Sequence, residues 1–472
     1  MAAEERCFLA LQNGVETTIR HPFQRRREYV MKRTFWYVVS CLILLLAGGC
    51  WFFFATVGES DKPVISTGED YAVIGMQKIL AIAFSDPGRG LSHAEIIITQ
   101  DNQPRIISSL DFPEKGVRQK SLSVAVDAIA LKLHDGPATL TLTAVDHSIW
   151  KNLSTITRPV TIDLMPPQIS QLNRVNHINP GGACIVTYRL SEAALLTGVQ
   201  VGEIFFPAYP DTLSGKSAYV VYFALPLEAA QGKPQIRIIA RDRAGNEAMS
   251  AVPALILKRK FRSDKMVLSD NFLGKKMPEF QAANPSLHGK TAIETFVYVN
   301  TVLREDIAKT IQSVCRQSEP RQLWQDAFSR MKNAAPMALF GDHRTYLYEG
   351  KPVGESVHEG VDLASVANAQ IEAANDGIVR FTGPLGIYGN AVLIDHGLGL
   401  ATLYGHMSAI QVNSGQVVKK NDIIGVSGDS GLASGDHLHF GVAINGQFVD
   451  PREWWDAHWI EDNVTKKMAA AF

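Results

Sequence analysis

The run Thr34–Val57 contains no Asp, Glu, Lys or Arg, and it limits the chain more than any other segment. Inside a bilayer every backbone amide must be paired within the protein, so a run of this kind crosses as a helix. About 20 helical residues span a hydrocarbon core of ~30 Å, and this run is long enough. Arg25, Arg26, Arg27, Lys32 and Arg33 precede it, whereas Glu59 and Asp61 follow. The positive-inside rule then places residues 1–33 in the cytoplasm and everything after 58 outside it. Trp36, Tyr37 and Trp51 are candidate interfacial anchors. A cleaved signal peptide would need a shorter apolar core and a small-residue cleavage site. A lipoprotein signal ending at Cys50 conflicts with Trp51–Phe54, which carry the apolar run past that cysteine. An uncleaved single-pass anchor over 34–57 is therefore expected.

At 472 residues the chain should hold roughly three domains. A formal net charge of −1 gives no electrostatic reason to expect nucleic acid as a partner. The five cysteines are scattered, and isolated thiols are expected rather than a Cys184–Cys315 bridge. No Cys-x-x-Cys pair occurs, which excludes a thiolate zinc site.

Residues 62–258 read as short strands separated by turns. Gly136, Ala144 and Asp146 have counterparts in Gly232, Ala240 and Asp242, each offset by 96. A β repeat of that length predicts two tandem Ig-like β-sandwiches, 62–165 and 166–258, joined at Met165-Pro166-Pro167. The turn Asp242–Asn246 resembles the one near the last strand of bacterial immunoglobulin-like domains. These domains are read as a spacer, with envelope proteins as candidate partners. Residues 259–336 form a short helical linker, with one helix over Thr291–Cys315 and a second over Gln322–Met331.

The chemistry concentrates beyond residue 337. His358, Asp362, His406, His437 and His439 lie in three separated segments, and together they read as a zinc hydrolase site. In a strand, residues two apart share a face, so His437 and His439 can aim into one site while Leu438 and Phe440 face an apolar side. His358 and Asp362 stand four apart around Gly360, which is expected to allow a tight turn. Catalytic zinc needs three protein ligands and an open position, and acid–base work needs further imidazoles beside it. Glu359 does not belong to a His-Glu-x-x-His helix and is expected to be a solvated rim residue. His396, His343 and His458 are expected to be scaffold or surface. The stretch 410–425 also suits a lipoyl-like hairpin sandwich, but Lys419 and Lys420 lack the flanking methionines of a carrier site.

The blocks HEGVDLA (358–364), YGNAVLIDHGLGLATLYGHMS (388–408) and GDSGLASGDHLHFGV (428–442) resemble the lysostaphin/LytM-type zinc metalloendopeptidases that cut peptidoglycan. The resemblance implies an all-β metallopeptidase domain over 337–460, followed by a C-terminal tail, 461–472, in a chain that is mainly β. It implies that His358, Asp362 and His439 bind zinc and that His406 and His437 are the catalytic pair. It also implies that Tyr404 and Asn390 contact substrate. Gln370 and Asn421 depart from the family's frequent Pro and Gly, in turns away from the site. The implied partners are peptidoglycan peptide stems, with the inner membrane as the anchor's location and the catalytic domain in the periplasm. D-alanyl-diaminopimelyl cross-links are expected rather than glycine bridges. A non-catalytic LytM-like regulator of another wall hydrolase is the alternative. Such relatives usually lose ligands, and here all five positions are present.

Overall fold

The computed structural model describes residues 22–57, 60–68, 71–173, 175–210, 218–230, 232 and 234–469. Much of the expected cytoplasmic tail, with Cys7, lies outside the described residues. One helix, Pro22–Val57, contains the apolar run and starts well before it. All its apolar side chains between Phe35 and Phe54 except the half-buried Val39 are exposed, and the stretch Arg33–Phe54 is long and apolar enough to cross a membrane.

Beyond the helix the chain is mainly β. Two compact units are present, residues 1–72 with 77–162, and residues 73–76 with 163–472. In the first unit, Gln103–Asp111, Leu91–Gln100, Gly136–Asp146 and Leu153–Ile162 form one antiparallel sheet in that spatial order. Val64–Thr67, Gln77–Ser85 and Gln119–Asp127 form another. Burial alternates along the strands, so Ile96, Ile98, Leu140, Leu142, Leu80 and Ile82 are inside while their neighbours face out.

The second unit begins with two four-stranded antiparallel sheets. One is centred on Ala183–Leu190 and Ala218–Ala224, the other on Leu196–Val201 and Ile236–Arg241. The residues paired by the 96-residue offset do the same local work. Asp146 and Asp242 are both fully buried at a strand end, where each carboxylate accepts from the backbone N–H and the side-chain amide of a following asparagine.

The linker departs from expectation. Thr291 starts the expected helix with a reciprocal capping box to Glu294, and Ala292–Tyr298 continues through a π turn into Arg304–Cys315. A further helix, Asp270–Ala283, was not expected, because Gly274 and Pro278 interrupt its pattern. Ser269 caps it, and Leu273, Met277 and Phe280 make its buried stripe. Gln322–Met331 is not a helix. Its amides bond outward instead, Leu323 N–H to His396 O and Phe328 N–H to Trp454 O, both at 2.9 Å. Trp324 and Phe328 are buried edge-on to Trp454, so tertiary packing overrides helix propensity.

The C-terminal domain is an antiparallel sheet, Ala335–Ala338, Val361–Ala364, Leu438–Ile444, Leu400–Met407, Asn390–Gly397, Gly377–Pro384 and Val417–Val418 in spatial order. It begins at Ala335, ahead of the expected boundary, because Pro336 sits on the edge strand. The expected tail is a correction as well. Residues 461–469 are helical and dock on the second β module, with Lys467 Nζ 2.9 Å from Asn176 Oδ1 and Val464 buried. That module is no free spacer. Ala183 N–H donates to Glu453 Oε2 at 2.7 Å and Tyr222 packs on Trp454, while Arg259, at the start of the linker, pairs with Asp450 at 2.5 Å. Cys184 and Cys315 are buried and free, as expected, and burial pushes their thiols up to about 11 and about 12.

Candidate metal centre and active-site cleft

His439 lies on Leu438–Ile444, between the strands that bring its partners. Asp362 is its cross-strand neighbour on one side, and Gly405 on the other. His406 then reaches the site through a bulge. Two residues, Gly405 and His406, oppose the single residue Ala391 between the pairs Val392–Tyr404 and Asn390–Met407. His406 takes φ +62°, a left-handed conformation unusual for a residue with a Cβ. An extra residue re-aims the following side chain. Strict alternation would have placed His406 on the same face as Tyr404, in the core.

The metal-ligand candidates converge. His358 Nε2 is 2.9 Å from Asp362 Oδ1 and 3.1 Å from His439 Nδ1, which is itself 2.9 Å from Asp362 Oδ1. His358 Nδ1 donates to Leu339 O at 3.0 Å, which leaves Nε2 with a bare lone pair. Asp362 is buried, and burial is the largest influence, raising its pKa. The neighbouring His358 and His439 imidazoles outweigh it and hold the carboxyl well below the usual carboxylate range. Two imidazole nitrogens and an anionic oxygen at this range need a proton or a cation among them, and two nitrogens with one carboxylate suit zinc. His439 Nε2 is buried without a hydrogen-bond partner, beside Gly360. A Cβ at 360 would stand 2.6 Å from that nitrogen, so glycine is required there by space rather than for a turn.

Two imidazoles remain. His406 and His437 have ring centroids 4.7 Å apart, and their Nδ1 atoms donate to Ser430 O and Gly435 O, each at 2.8 Å. Both rings therefore present an unprotonated Nε2 when neutral. Burial, followed by His437 and His439, pushes His406 down to about 3. Burial pushes His439 down to about 4.

Around these five side chains lies a cleft of about 500 Å³. Its far wall comes from the linker, including Leu268, Ser269, Phe272, Phe296 and Arg304. Arg344, on the strand His343–Tyr348, donates to Asp362 Oδ2 at 3.3 Å. Nothing in its local sequence marks it, since that strand joins the site only through the fold. Arg304, on the expected linker helix, uses Nε to hold Asn300 at 3.0 Å and lines the cleft. Glu359 is no solvated rim residue. It is partly buried, accepts from the Tyr388 hydroxyl at 3.3 Å, and its carboxyl is raised by burial against the influence of Arg304.

The fold does not bring the expected substrate residues into the cleft. Tyr404 is buried, its hydroxyl accepting from Ala374 N–H at 2.7 Å and its ring edge-on to Phe440. Asn390 donates from its side chain to Met407 O at 3.2 Å, securing the bulge behind His406. His396 is fully buried between Asp376 O and Thr402 Oγ1, a scaffold group as expected. His343 and His458 are exposed.

Residues 356–451 match peptidase family M23. The C-terminal domain belongs to peptidase family M23. Over 95 residues this M23 domain is 42% identical to the DD-carboxypeptidase/endopeptidase Mpg of Neisseria meningitidis serogroup B, covering 20% of this chain and 22% of that protein. Over 93 residues it is 37% identical to the peptidoglycan DD-endopeptidase ShyA of Vibrio cholerae, covering 20% and 22%. The chain thus spans about a fifth of the length of the curated relatives it matches. Among solved structures, a putative M23 peptidase from Pseudomonas aeruginosa aligns over 61% of this chain and 97% of its own, at 20% identity and TM-score 0.36. The lysostaphin catalytic domain from Staphylococcus simulans aligns over 28% and 98%, at 25% identity and TM-score 0.24.

Proposed function

We propose that the protein is a membrane-anchored zinc metalloendopeptidase that hydrolyses peptide cross-links of peptidoglycan, with its catalytic domain in the periplasm. The observation that carries this reading is the division of five converging side chains into three ligand atoms and two imidazoles left over. His358 Nε2, Asp362 Oδ1 and His439 Nδ1 would hold the metal. When bound, zinc supplies Lewis acidity and lowers the pKa of a water into the neutral range.

The chain's own groups do the rest. His406 and His437 turn their Nε2 atoms to the site, and one of them takes the proton of the attacking water and then, as the imidazolium so formed, gives that proton to the departing amine. The buried, water-poor wall around His406 keeps its ring neutral and able to accept. Arg344 holds the outer oxygen of Asp362, which fixes the carboxylate's orientation. With Arg304 on the opposing wall, the cleft carries two guanidinium groups. They suit a peptide bearing free carboxylates, as wall stem peptides do.

The test is incubation of the full chain, in detergent, with purified peptidoglycan sacculi, with and without chelator, and in parallel with His406→Ala. Release of cross-link cleavage products that stops with chelator and with the substitution supports the reading. Intact sacculi under all zinc-loaded conditions would sink it.

A further inference from the structure

The loop Asp146–Asn152 of the first β unit has an apolar tip on a rigid base. Ile149 is 51% exposed and Trp150 is 60% exposed, and Leu153 and Val64 beside the base are exposed too. The base is set by the buried Asp146. Its Oδ1 accepts from Ser148 N–H at 3.0 Å, the Ser148 hydroxyl at 2.6 Å and Asn152 N–H at 2.8 Å. Its Oδ2 accepts from the Asn152 amide at 2.8 Å. The repeat shows that this base needs no apolar tip. Asp242 makes the same two bonds to Asn246 across Arg243, Ala244 and Gly245, a loop shorter by two residues. The first unit thus places isoleucine and tryptophan in a turn whose own hydrogen bonds are complete without them.

The same loop is tied to the end of the N-terminal helix. The Asn152 amide donates to Asp61 O at 3.2 Å, and the Ser154 hydroxyl donates to Pro63 O. Asp61 is four residues beyond Val57, the last residue of the helix. A chain reaches at most ~3.3–3.6 Å per residue, so Asp61 stays within ~14 Å of the helix end whatever the unit's orientation, and the Asn152 side chain is hydrogen-bonded to it. Trp150 is two residues from Asn152, at most ~7 Å further along the chain, so the tip can reach the same zone. Arg33–Phe54 is long and apolar enough to fill the hydrocarbon core, and as an anchor it would leave Val57 among the headgroups. Tryptophan prefers that layer, where its ring is buried and its N–H stays wet. Lys151, next to Trp150, and Lys62, next to Asp61, are both exposed and can meet lipid phosphates, with acidic residues at Glu59 and Asp61 in the same stretch of chain.

We propose that Ile149 and Trp150 insert into the headgroup layer of the bilayer that the N-terminal helix crosses, giving the first β unit a second membrane contact. This rests on the helix being an anchor. The partner is a lipid surface.

The test uses the full chain reconstituted in phosphatidylcholine–phosphatidylglycerol vesicles, with and without bromine-labelled lipid, for the native protein and Trp150→Phe. The difference between the two proteins isolates Trp150 fluorescence, and the signal left in Trp150→Phe includes Trp36 and Trp51 in the helix. Thermal melting of the two proteins should coincide, since Trp150 is exposed. At least two-fold quenching of the Trp150 component by brominated lipid supports the inference. A Trp150 component untouched by bromine and fully quenched by aqueous acrylamide overturns it, while quenching of the helix tryptophans in the same sample keeps the anchor. If the helix tryptophans also escape bromine, the anchor itself fails and the inference falls with it.

Discussion

At His406 the chain holds a residue with a Cβ at φ +62° and buries its ring against two other imidazoles. A left-handed conformation costs such a residue roughly 1 kcal/mol, and a neutral ring facing the cleft is what it secures. Replacement by alanine and by glycine should both reduce turnover by ~10²–10⁴-fold, as loss of a proton-transfer group does. The two should differ in stability, with His406→Gly unfolding at higher denaturant by about 1 kcal/mol, because only glycine relaxes at that φ. Equal stability of the pair would show that the bulge is not strained. Tyr404, two residues away, predicts the opposite separation. Tyr404→Phe removes the acceptor for the buried Ala374 N–H and should cost about 1 kcal/mol of stability. Its kcat/KM should stay within a few fold of the native value, and a large rise in KM would return Tyr404 to the substrate.

The elements decide what the cleft can admit. The segment from Ser263 to Cys315 supplies one wall, and its strand Ser263–Val267 pairs with His343–Tyr348, which brings Arg344 to Asp362. Arg304 stands at the start of a helix whose buried face, Ile307, Ile311 and Cys315, fixes it against the domain. With its guanidinium at the cleft, Arg304→Gln should raise KM for cross-linked peptides with free carboxylates by ~10-fold and leave kcat little changed. Peptides with amidated carboxylates should show no such difference. Equal loss on both substrates would make Arg304 a packing residue only.

Within the second unit, the β module and the M23 domain meet around a buried carboxylate. Burial raises Glu453 to about 7 from 4.5, although Ala183 N–H and the Asn179 amide donate to it. The folded state binds this proton more tightly than the unfolded chain does. Stability therefore falls as pH rises from ~4.5 to about 7 and is level above that, by ~3 kcal/mol in all. Glu453→Gln should remove this slope and melt at higher temperature than the native protein at pH 8. A parallel pH–melting curve for the two would show that Glu453 ionises without penalty. At pH 4 the two should melt together.

The sequence alone determined which atoms could do chemistry, because residue type and strand period are local properties. His437 and His439 share a face, His358 and Asp362 sit close along the chain, and a run without charge demands a helix. Thr291–Cys315 was legible for the same reason, through its apolar spacing. What the tertiary structure decided depends on contacts far apart in the chain. Gln322–Met331 is irregular rather than helical because Trp324 and Phe328 gain more by packing on Trp454 than by forming a helix. Residues 461–469 are docked, not loose, because Lys467 and Val464 find partners in the second β module. Tyr404 and His406 part company at a bulge, which no alternation pattern records. Arg344 and the linker wall reach the site only through strand pairing across eighty residues. The five candidate side chains are thus legible in the sequence, while the shape of the cleft is a product of the fold.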